Sequence, residues 1–112
     1  MKYIIPQDKI EKIVFKYLDL QYGDLKKIKA PYYKGFIFKK PNDDSGYGVM
    51  GWEKPNNLYV HYKLIKDISS MFSIEESDSK EIVGKWVKYR YKLKVVGVWK
   101  SSPNDDAALR IN

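Results

Sequence analysis

The chain has 112 residues, of which 44% are hydrophobic, 15% aromatic and 31% charged. This length predicts one domain around one hydrophobic core, and the apolar and aromatic content excludes a chain that is disordered by composition. The formal net charge of +7 comes mainly from lysine, because Arg90 and Arg110 are the only arginines. Lysine is a hydrated point charge on a flexible stem, so it favours solubility at least as much as recognition of a specific anion.

Cysteine is absent, which excludes disulfides, thiolate metal sites and cysteine nucleophiles, and fits a reducing compartment. No segment approaches the roughly 18 consecutive apolar residues that a membrane span needs. The opening stretch MKYIIPQDK has too short an apolar run for a signal peptide. We therefore expect a cytoplasmic protein without a membrane partner.

Residues 7–20 are predicted to form the first helix. Its apolar residues recur at the i, i+3, i+4, i+7 and i+8 spacing of one helical face; they are Ile10, Ile13, Val14, Tyr17 and Leu18. Gly23 supplies the stop, since glycine tolerates the left-handed conformation that ends many helices. The opposite face carries charges of both signs, which indicates contact with solvent.

Between residues 25 and 63 the apolar period changes to two, which is typical of strands. Three runs carry it: YKGFIFKK (33–40), GYGVMGWEK (46–54) and NLYVHYK (57–63). The turn-forming stretches PNDDSG and KPNN separate these runs. Such short connections favour antiparallel hairpins, so we predict a three-stranded meander with residues 25–30 as an additional edge strand.

Two further helices are predicted after the meander. The stretch LIKDISSMF (64–72) places its apolar residues on one helical face, and the next helix begins in EESDSKE. There Asp78 is the predicted N-cap with Glu81 three residues on, where negative charge suits the helix dipole. The apolar stripe of this helix continues through Trp86 and Val87.

The stretch KYRYKLKVV (88–96) carries a helical and a strand pattern at once. We place the end of the helix near Tyr91 and the start of a final strand near Leu93. The predicted fold is therefore α+β: an N-terminal helix, an antiparallel three- to four-stranded meander, two helices and a C-terminal strand. Residues 1–100 form the expected single domain, and residues 101–112 form a polar C-terminal tail.

The stretch IEESDSKEIVGKWVKYRYKLKVVGVW (74–99), with YKLIKDISSMF before it and the opening IIPQDKIEKIVFKYLD, resembles small uncharacterised proteins of tailed bacteriophages. The resemblance covers most of the chain and carries no catalytic motif. It implies a phage origin, a small accessory or virion role, and a location in the host cytoplasm or in the particle. No residue roles follow from it.

Three motifs have structural interpretations that we favour over catalytic or ligand-binding ones. Residues 46–51 match G-x-G-x-x-G, but WEKPNN follows where a nucleotide-binding loop needs a helix, so the glycines indicate close backbone approach. His61, the only histidine, lies in a predicted strand and is expected to be structural. The acidic stretches 42–46 and 104–106 lack the ligand spacing of a calcium loop and are predicted to be turns. We therefore predict no catalytic residue, no cofactor and no metal, and identify no small-molecule ligand.

The basic and aromatic residues remain as candidates for a partner surface. If the two lysine-rich segments share one face, their cations and tyrosines suit nucleic acid, and otherwise they are the solvated side of a packed core. The candidate residues are Lys26, Lys27, Lys29, Lys34, Lys85, Lys88, Arg90 and Lys92. Our first hypothesis is a non-enzymatic accessory protein that binds a host factor or its own copies, and the alternative is a nucleic-acid-binding protein that uses this surface.

Overall fold

The computed structural model describes residues 7–42, 46–101 and 109–111. Its elements, in chain order, are α1 (Gln7–Tyr22), β1 (Lys26–Lys29), β2 (Gly35–Lys39), β3 (Met50–Glu53), β4 (Asn57–Val60), α2 (Tyr62–Phe72), α3 (Glu76–Tyr91) and β5 (Gly97–Lys100). The predicted order of helix, meander, two helices and strand is confirmed, and so is the α+β class. The additional edge strand near residues 25–30 is present as β1.

The five strands form one sheet in the order β1-β2-β3-β4-β5. The first four strands pair antiparallel, as the short turns predict, whereas β5 pairs parallel to β4. A parallel neighbour requires a crossover connection, because the chain must return to the end of the sheet where the previous strand began. Here α2 and α3 form that crossover.

The core lies between the three helices and one face of the sheet. Strand side chains alternate between faces, and the helix-facing ones are Phe36, Phe38, Met50, Trp52, Leu58 and Val60. Val14 and Leu18 of α1 and the buried residues of α2 and α3 pack on them. The indole of Trp86, fully buried in α3, donates a 2.9 Å hydrogen bond to Asp19 Oδ1 and so ties α3 to α1.

The C-terminal end of α1 is capped by residues of α3. The last turn of α1 contains no basic residue of its own, and its final carbonyl groups have no partner within the helix. The Tyr91 hydroxyl donates to the Tyr22 carbonyl at 2.7 Å, and the Arg90 guanidinium donates to the Gly23 carbonyl at 2.9 Å. The cation of Arg90 thus lies where the negative end of the α1 dipole favours it.

Two predicted boundaries are wrong near His61 and Asp78. Strand β4 ends at Val60, and His61 is the N-cap of α2, where its Nδ1 accepts a hydrogen bond from Lys63 N at 3.1 Å. The backbone of α3 begins at Glu76 after an extended Glu75, so Asp78 lies inside the first turn. Its charge still suits the helix dipole there.

In the stretch KYRYKLKVV (88–96), the predicted end of the helix is confirmed and the predicted start of the strand is not. Helix α3 ends at Tyr91, as predicted, with Lys92 in the left-handed conformation at φ 58°. The predicted strand start near Leu93 is wrong, because β5 begins at Gly97. Leu93 and Val95 point into the core from an unpaired connection, so their alternation reflects burial rather than strand pairing.

Residues 46–49 form a short contact with residues 109–111. Gly48 N donates to the Leu109 carbonyl and Ile111 N donates to the Gly46 carbonyl, both at 2.8 Å, and Leu109 is fully buried. A Cβ atom at Gly48 would collide with Ile37 Cγ2 and lie 2.8 Å from the Phe38 carbonyl oxygen. At Gly48 the glycine-rich stretch therefore serves close backbone approach, as predicted.

We expect Tyr91→Phe to lower the free energy of unfolding by about 1–3 kcal/mol, because it leaves the Tyr22 carbonyl at the end of α1 without its hydrogen-bond partner. The lost hydroxyl donates to that carbonyl at 2.7 Å. Urea unfolding measures the change. Tyr89→Phe, which removes a hydroxyl from a side chain that is 62% exposed, is the matched control, and equal losses in both variants would contradict the capping role.

Gly48→Ala is expected to destabilise the fold by about 1–3 kcal/mol, the usual cost of overpacking. The new methyl group displaces Ile37 or moves β2 away from residues 46–49. Thermal unfolding of this variant is compared with that of Val96→Ala, since Val96 is 72% exposed. A Gly48→Ala protein as stable as the wild type would show that the close approach is not needed.

Candidate binding surfaces on the two sides of the sheet

The side of the sheet opposite the helices, here called the open face, has an apolar row across its centre. The strand register places Ile28, Ile37, Gly51, Tyr59 and Trp99 side by side in this row. None of the helices packs against this side within the described ranges, because the helix residues of the core contact the opposite face. Ile37 in this row is nevertheless fully buried, with Gly48 against its side chain, so the accessible part of the row lies on β4 and β5, where Trp99 is 57% exposed.

Trp99 is the most accessible of these aromatic residues, with 57% of its surface exposed. Its indole folds back along β5 over Gly97. A Cβ atom at Gly97 would lie 3.2 Å from Trp99 Nε1 and 3.2 Å from Asn57 Oδ1. Glycine at position 97 thus leaves room for the indole against the backbone, which turns one ring surface toward solvent.

Tyr59 and Tyr33 extend the aromatic surface from Trp99 across the sheet. Tyr59 is the register partner of Trp99, and its ring centroid lies 6.0 Å from that of Tyr33. The Tyr59 hydroxyl donates to Glu53 Oε1 at 2.8 Å, and this bond is the first cause of its raised pKa. Burial, followed by the negative charge of Glu53, raises the pKa of Tyr33 to about 12. We call Tyr33, Tyr59 and Trp99 the aromatic platform.

The strand residues that share the open face with the platform carry little net charge. By register, Lys26 and Lys39 lie on this face at one side and Glu53 lies beside Tyr59. The Glu53 carboxylate accepts the Tyr59 hydrogen bond. The platform is therefore an aromatic surface with hydrogen-bonding groups at its edge rather than a strongly charged one.

The four candidate lysines of residues 26–34 do not share one face. Lys26 points to the open face, whereas Lys27 and Lys29 point to the helix side, where they neighbour Phe38 and Phe36. The Lys27 ammonium lies 4.5 Å from the centroid of the Phe36 ring. Lys34 lies in the turn before β2, and its carbonyl accepts a hydrogen bond from Lys54 N.

The four candidate cations of residues 85–92 have different surroundings. Lys85 forms ion pairs with Glu11 at 3.1 Å and with Glu81 at 3.5 Å, and its hydrogen bond with Glu11 is the first cause of its raised pKa. Lys88 borders an open groove between α3 and the start of β5. Arg90 bonds to the α1 end as described above, and the Lys92 ammonium lies 5.4 Å from the centroid of Tyr89.

Part of the two basic segments does converge on the helix side of the sheet. Trp52 stacks on Phe36 at 6.0 Å and donates from Nε1 to the Lys94 carbonyl at 2.9 Å. The Lys27 ammonium lies on the same Phe36 ring. The segment after α3 therefore runs alongside the helix-facing lysines of β1, and we call this group the β1–α3 basic surface. Its members are Lys27, Lys29, Arg90, Lys92 and Lys94.

Sequence reasoning missed the aromatic platform as a unit. Tyr59 alternates with Leu58 and Val60, and Trp99 follows Val98, so a period of two already separates them from the core-facing residues. Their meeting depends on the parallel register of β5, which no local pattern reports. Lys94 is not among the residues predicted from the sequence.

No metal-binding cluster is present within residues 7–42, 46–101 and 109–111. There, no group of three or more His, Cys, Asp or Glu side chains is placed to hold a metal ion, and His61 serves as a helix cap. Residues 43–45 and 104–106, which include most of the two predicted acidic turns, lie outside the described residues. None of the described helices is both long and apolar enough to cross a membrane.

The free energy of unfolding is expected to fall as the pH rises from 10 to about 12. The pKa of Tyr33 is raised above its ordinary value of 10.0 to about 12, so the folded state holds this proton more tightly than the unfolded chain. The contribution is complete below pH 10 and is lost toward pH 12. Urea unfolding at several pH values should show a shallower fall for Tyr33→Phe than for the wild type. An unchanged slope in Tyr33→Phe contradicts this assignment.

The chain was also compared with known proteins. No protein-family model matches it, and no curated protein and no solved structure is significantly similar to it.

Proposed function

We propose that the protein is a non-enzymatic accessory protein that binds another protein through the aromatic platform. The observation that carries the proposal is Trp99, which is 57% exposed on a sheet face that no described helix covers. It lies beside Tyr59 and Tyr33. An exposed tryptophan flanked by tyrosines on a rigid sheet is the composition that protein interfaces favour at their centres.

Tryptophan and tyrosine suit the centre of a protein interface because of the area and shape of their side chains. Tryptophan and tyrosine bury a large apolar surface with few rotatable bonds, and each keeps a polar group for a hydrogen bond at the interface. The Trp99 indole is already positioned over Gly97, so little conformational entropy is lost when a partner covers it. Removal of such a residue from an interface commonly costs about 2 kcal/mol or more of binding free energy.

The charge distribution favours a protein over a nucleic acid as the partner of this face. A nucleic-acid site needs several cations beside the stacking aromatics. The strand cations that lie on the open face are Lys26 and Lys39, and Glu53 lies beside the platform. The larger group of cations is on the helix side of the sheet.

The accessory and phage parts of the proposal are supported by the resemblance of residues 74–99 to small tailed-phage proteins. On that basis the partner is a host protein or a second copy of the chain, and the protein acts in the host cytoplasm or in the particle. The structural role of His61, the single histidine, supports a non-enzymatic protein.

Trp99→Ala should weaken partner binding by about 30-fold or more, the equivalent of about 2 kcal/mol. The test combines affinity capture from a bacterial lysate with light scattering during size-exclusion chromatography, which detects self-association. Met71→Ala is the matched control, because Met71 is 53% exposed on α2 and belongs to neither surface. A wild-type monomer that captures nothing, or a Trp99→Ala variant that binds as the wild type does, would contradict the proposal.

A further inference from the structure

The charges of α3 are divided between its two ends. Its first turn contains Glu76 and Asp78, and its last turn contains Lys88 and Arg90. On the acidic half, Lys100 pairs with Glu76 at 2.8 Å and Lys85 pairs with Glu81 and with Glu11 of α1. Positive charge without a carboxylate partner therefore collects at the C-terminal end of the helix and beyond it.

The β1–α3 basic surface lies at this end and is exposed. All five of its members are solvent-exposed side chains. Across the described ranges, the recorded ion pairs involve Lys85 and Lys100, and none involves a member of this surface. Cations that have no carboxylate partner and face solvent create a positive potential that attracts a negatively charged partner.

The backbone that carries these cations is held in place. Lys94 accepts the indole hydrogen bond of Trp52 through its carbonyl, and Val95, 3% exposed, anchors the same segment in the core. Lys27 and Lys29 project from a strand that pairs with β2 along its length. The positions of the charges are therefore fixed, although each lysine side chain remains flexible, and this suits repeated contacts with a regular anion.

An exposed tyrosine accompanies the cations. Tyr89 is 62% exposed and lies beneath the Lys92 ammonium. An aromatic ring beside a row of lysines is the arrangement that single-strand-binding proteins use, because bases stack on the ring while lysines neutralise phosphates.

We propose that the β1–α3 basic surface binds single-stranded nucleic acid without reading its sequence. Lysine contacts phosphates as a point charge, whereas base recognition typically uses the arginine fork. The one arginine of this surface, Arg90, is bonded to the Gly23 carbonyl. Stacking on tyrosine tolerates every base, so both components of the site are independent of sequence.

This function is separate from protein binding by the aromatic platform, because the two surfaces lie on opposite sides of the sheet. Both sites are therefore expected to be occupied at once, which would make the protein an adaptor between a protein and a nucleic acid. Trp99→Ala is accordingly expected to leave nucleic-acid affinity unchanged. This variant separates the failure of one proposal from the failure of the other.

The test is fluorescence anisotropy with a labelled oligothymidine, measured over a series of salt concentrations. Wild-type affinity should fall with a log–log salt slope of about −3, since each neutralised phosphate of a single strand contributes about −0.7. The double variant Lys29→Glu with Lys92→Glu should bind at least about tenfold more weakly. Its salt slope should be shallower by about 1.4, the contribution of two phosphate contacts.

The matched control is Lys63→Glu with Lys66→Glu, which changes the net charge equally on exposed residues of α2. It should retain the wild-type slope. Circular dichroism checks the fold of each variant, and Tyr89→Ala should weaken binding while keeping the slope.

Four results would overturn the proposal: no binding by the wild type at low salt, equal losses in the two charge variants, duplex competing as well as single strand, or an acidic polypeptide competing as well as the oligonucleotide. Equal losses in the two charge variants would show that binding depends only on the net charge of the protein. The last would identify an acidic protein as the partner of this surface.

Discussion

The parallel pairing of β5 with β4 is the constraint on which the rest of the structure depends. It requires a crossover, and the crossover consists of α2 and α3 packed on one face of the sheet. With α1 on the same side, the helices leave the other face to short segments. The same pairing brings Trp99 beside Tyr59. The parallel pairing of β5 therefore determines both the side of the sheet on which the core forms and the aromatic residues that meet on the opposite side.

The end of α3 links this crossover to the first helix and to the basic surface. Trp86, Arg90 and Tyr91 all contact α1 or the turn after it, through Asp19, Gly23 and Tyr22 respectively. The C-terminal ends of two helices thus lie together, and their dipoles both present partial negative charge there. Of the cations at this end, Arg90 bonds to the Gly23 carbonyl after α1, while the lysines of β1 face solvent. Arg90 is itself solvent-exposed, so one residue both caps a helix and adds charge to the basic surface.

Most of the element order followed from local patterns, and the exceptions have physical causes. Apolar spacing identified α1 and the apolar faces of α2 and α3, and turn-forming residues separated the strands of the meander. Leu93 and Val95 alternate with lysine because they are buried from an unpaired segment, a pattern that a strand also produces. His61 follows a strand in the same register and yet caps a helix, which depends on the geometry of one hydrogen bond.

The candidate surfaces were less predictable than the fold. A strand pattern shows that successive lysines face opposite ways, but not which of them faces the helices, and so Lys26 and Lys27 were grouped although they separate. Whether distant segments meet depends on the crossover. The sequence therefore indicated the residue types of a binding surface, while the register determined its members.

The backbone conformation of Lys92, a member of the basic surface, lowers the stability of the fold. This residue adopts the left-handed conformation at φ 58°, which costs an L-amino acid about 1–2 kcal/mol and glycine almost nothing. Glycine is the residue that most often ends a helix in this way. A lysine here gives up backbone stability while placing an ammonium group over Tyr89. Replacement by glycine would therefore exchange part of the charge of this surface for a more stable helix end, so that folding and the proposed recognition of nucleic acid place opposite demands on one position.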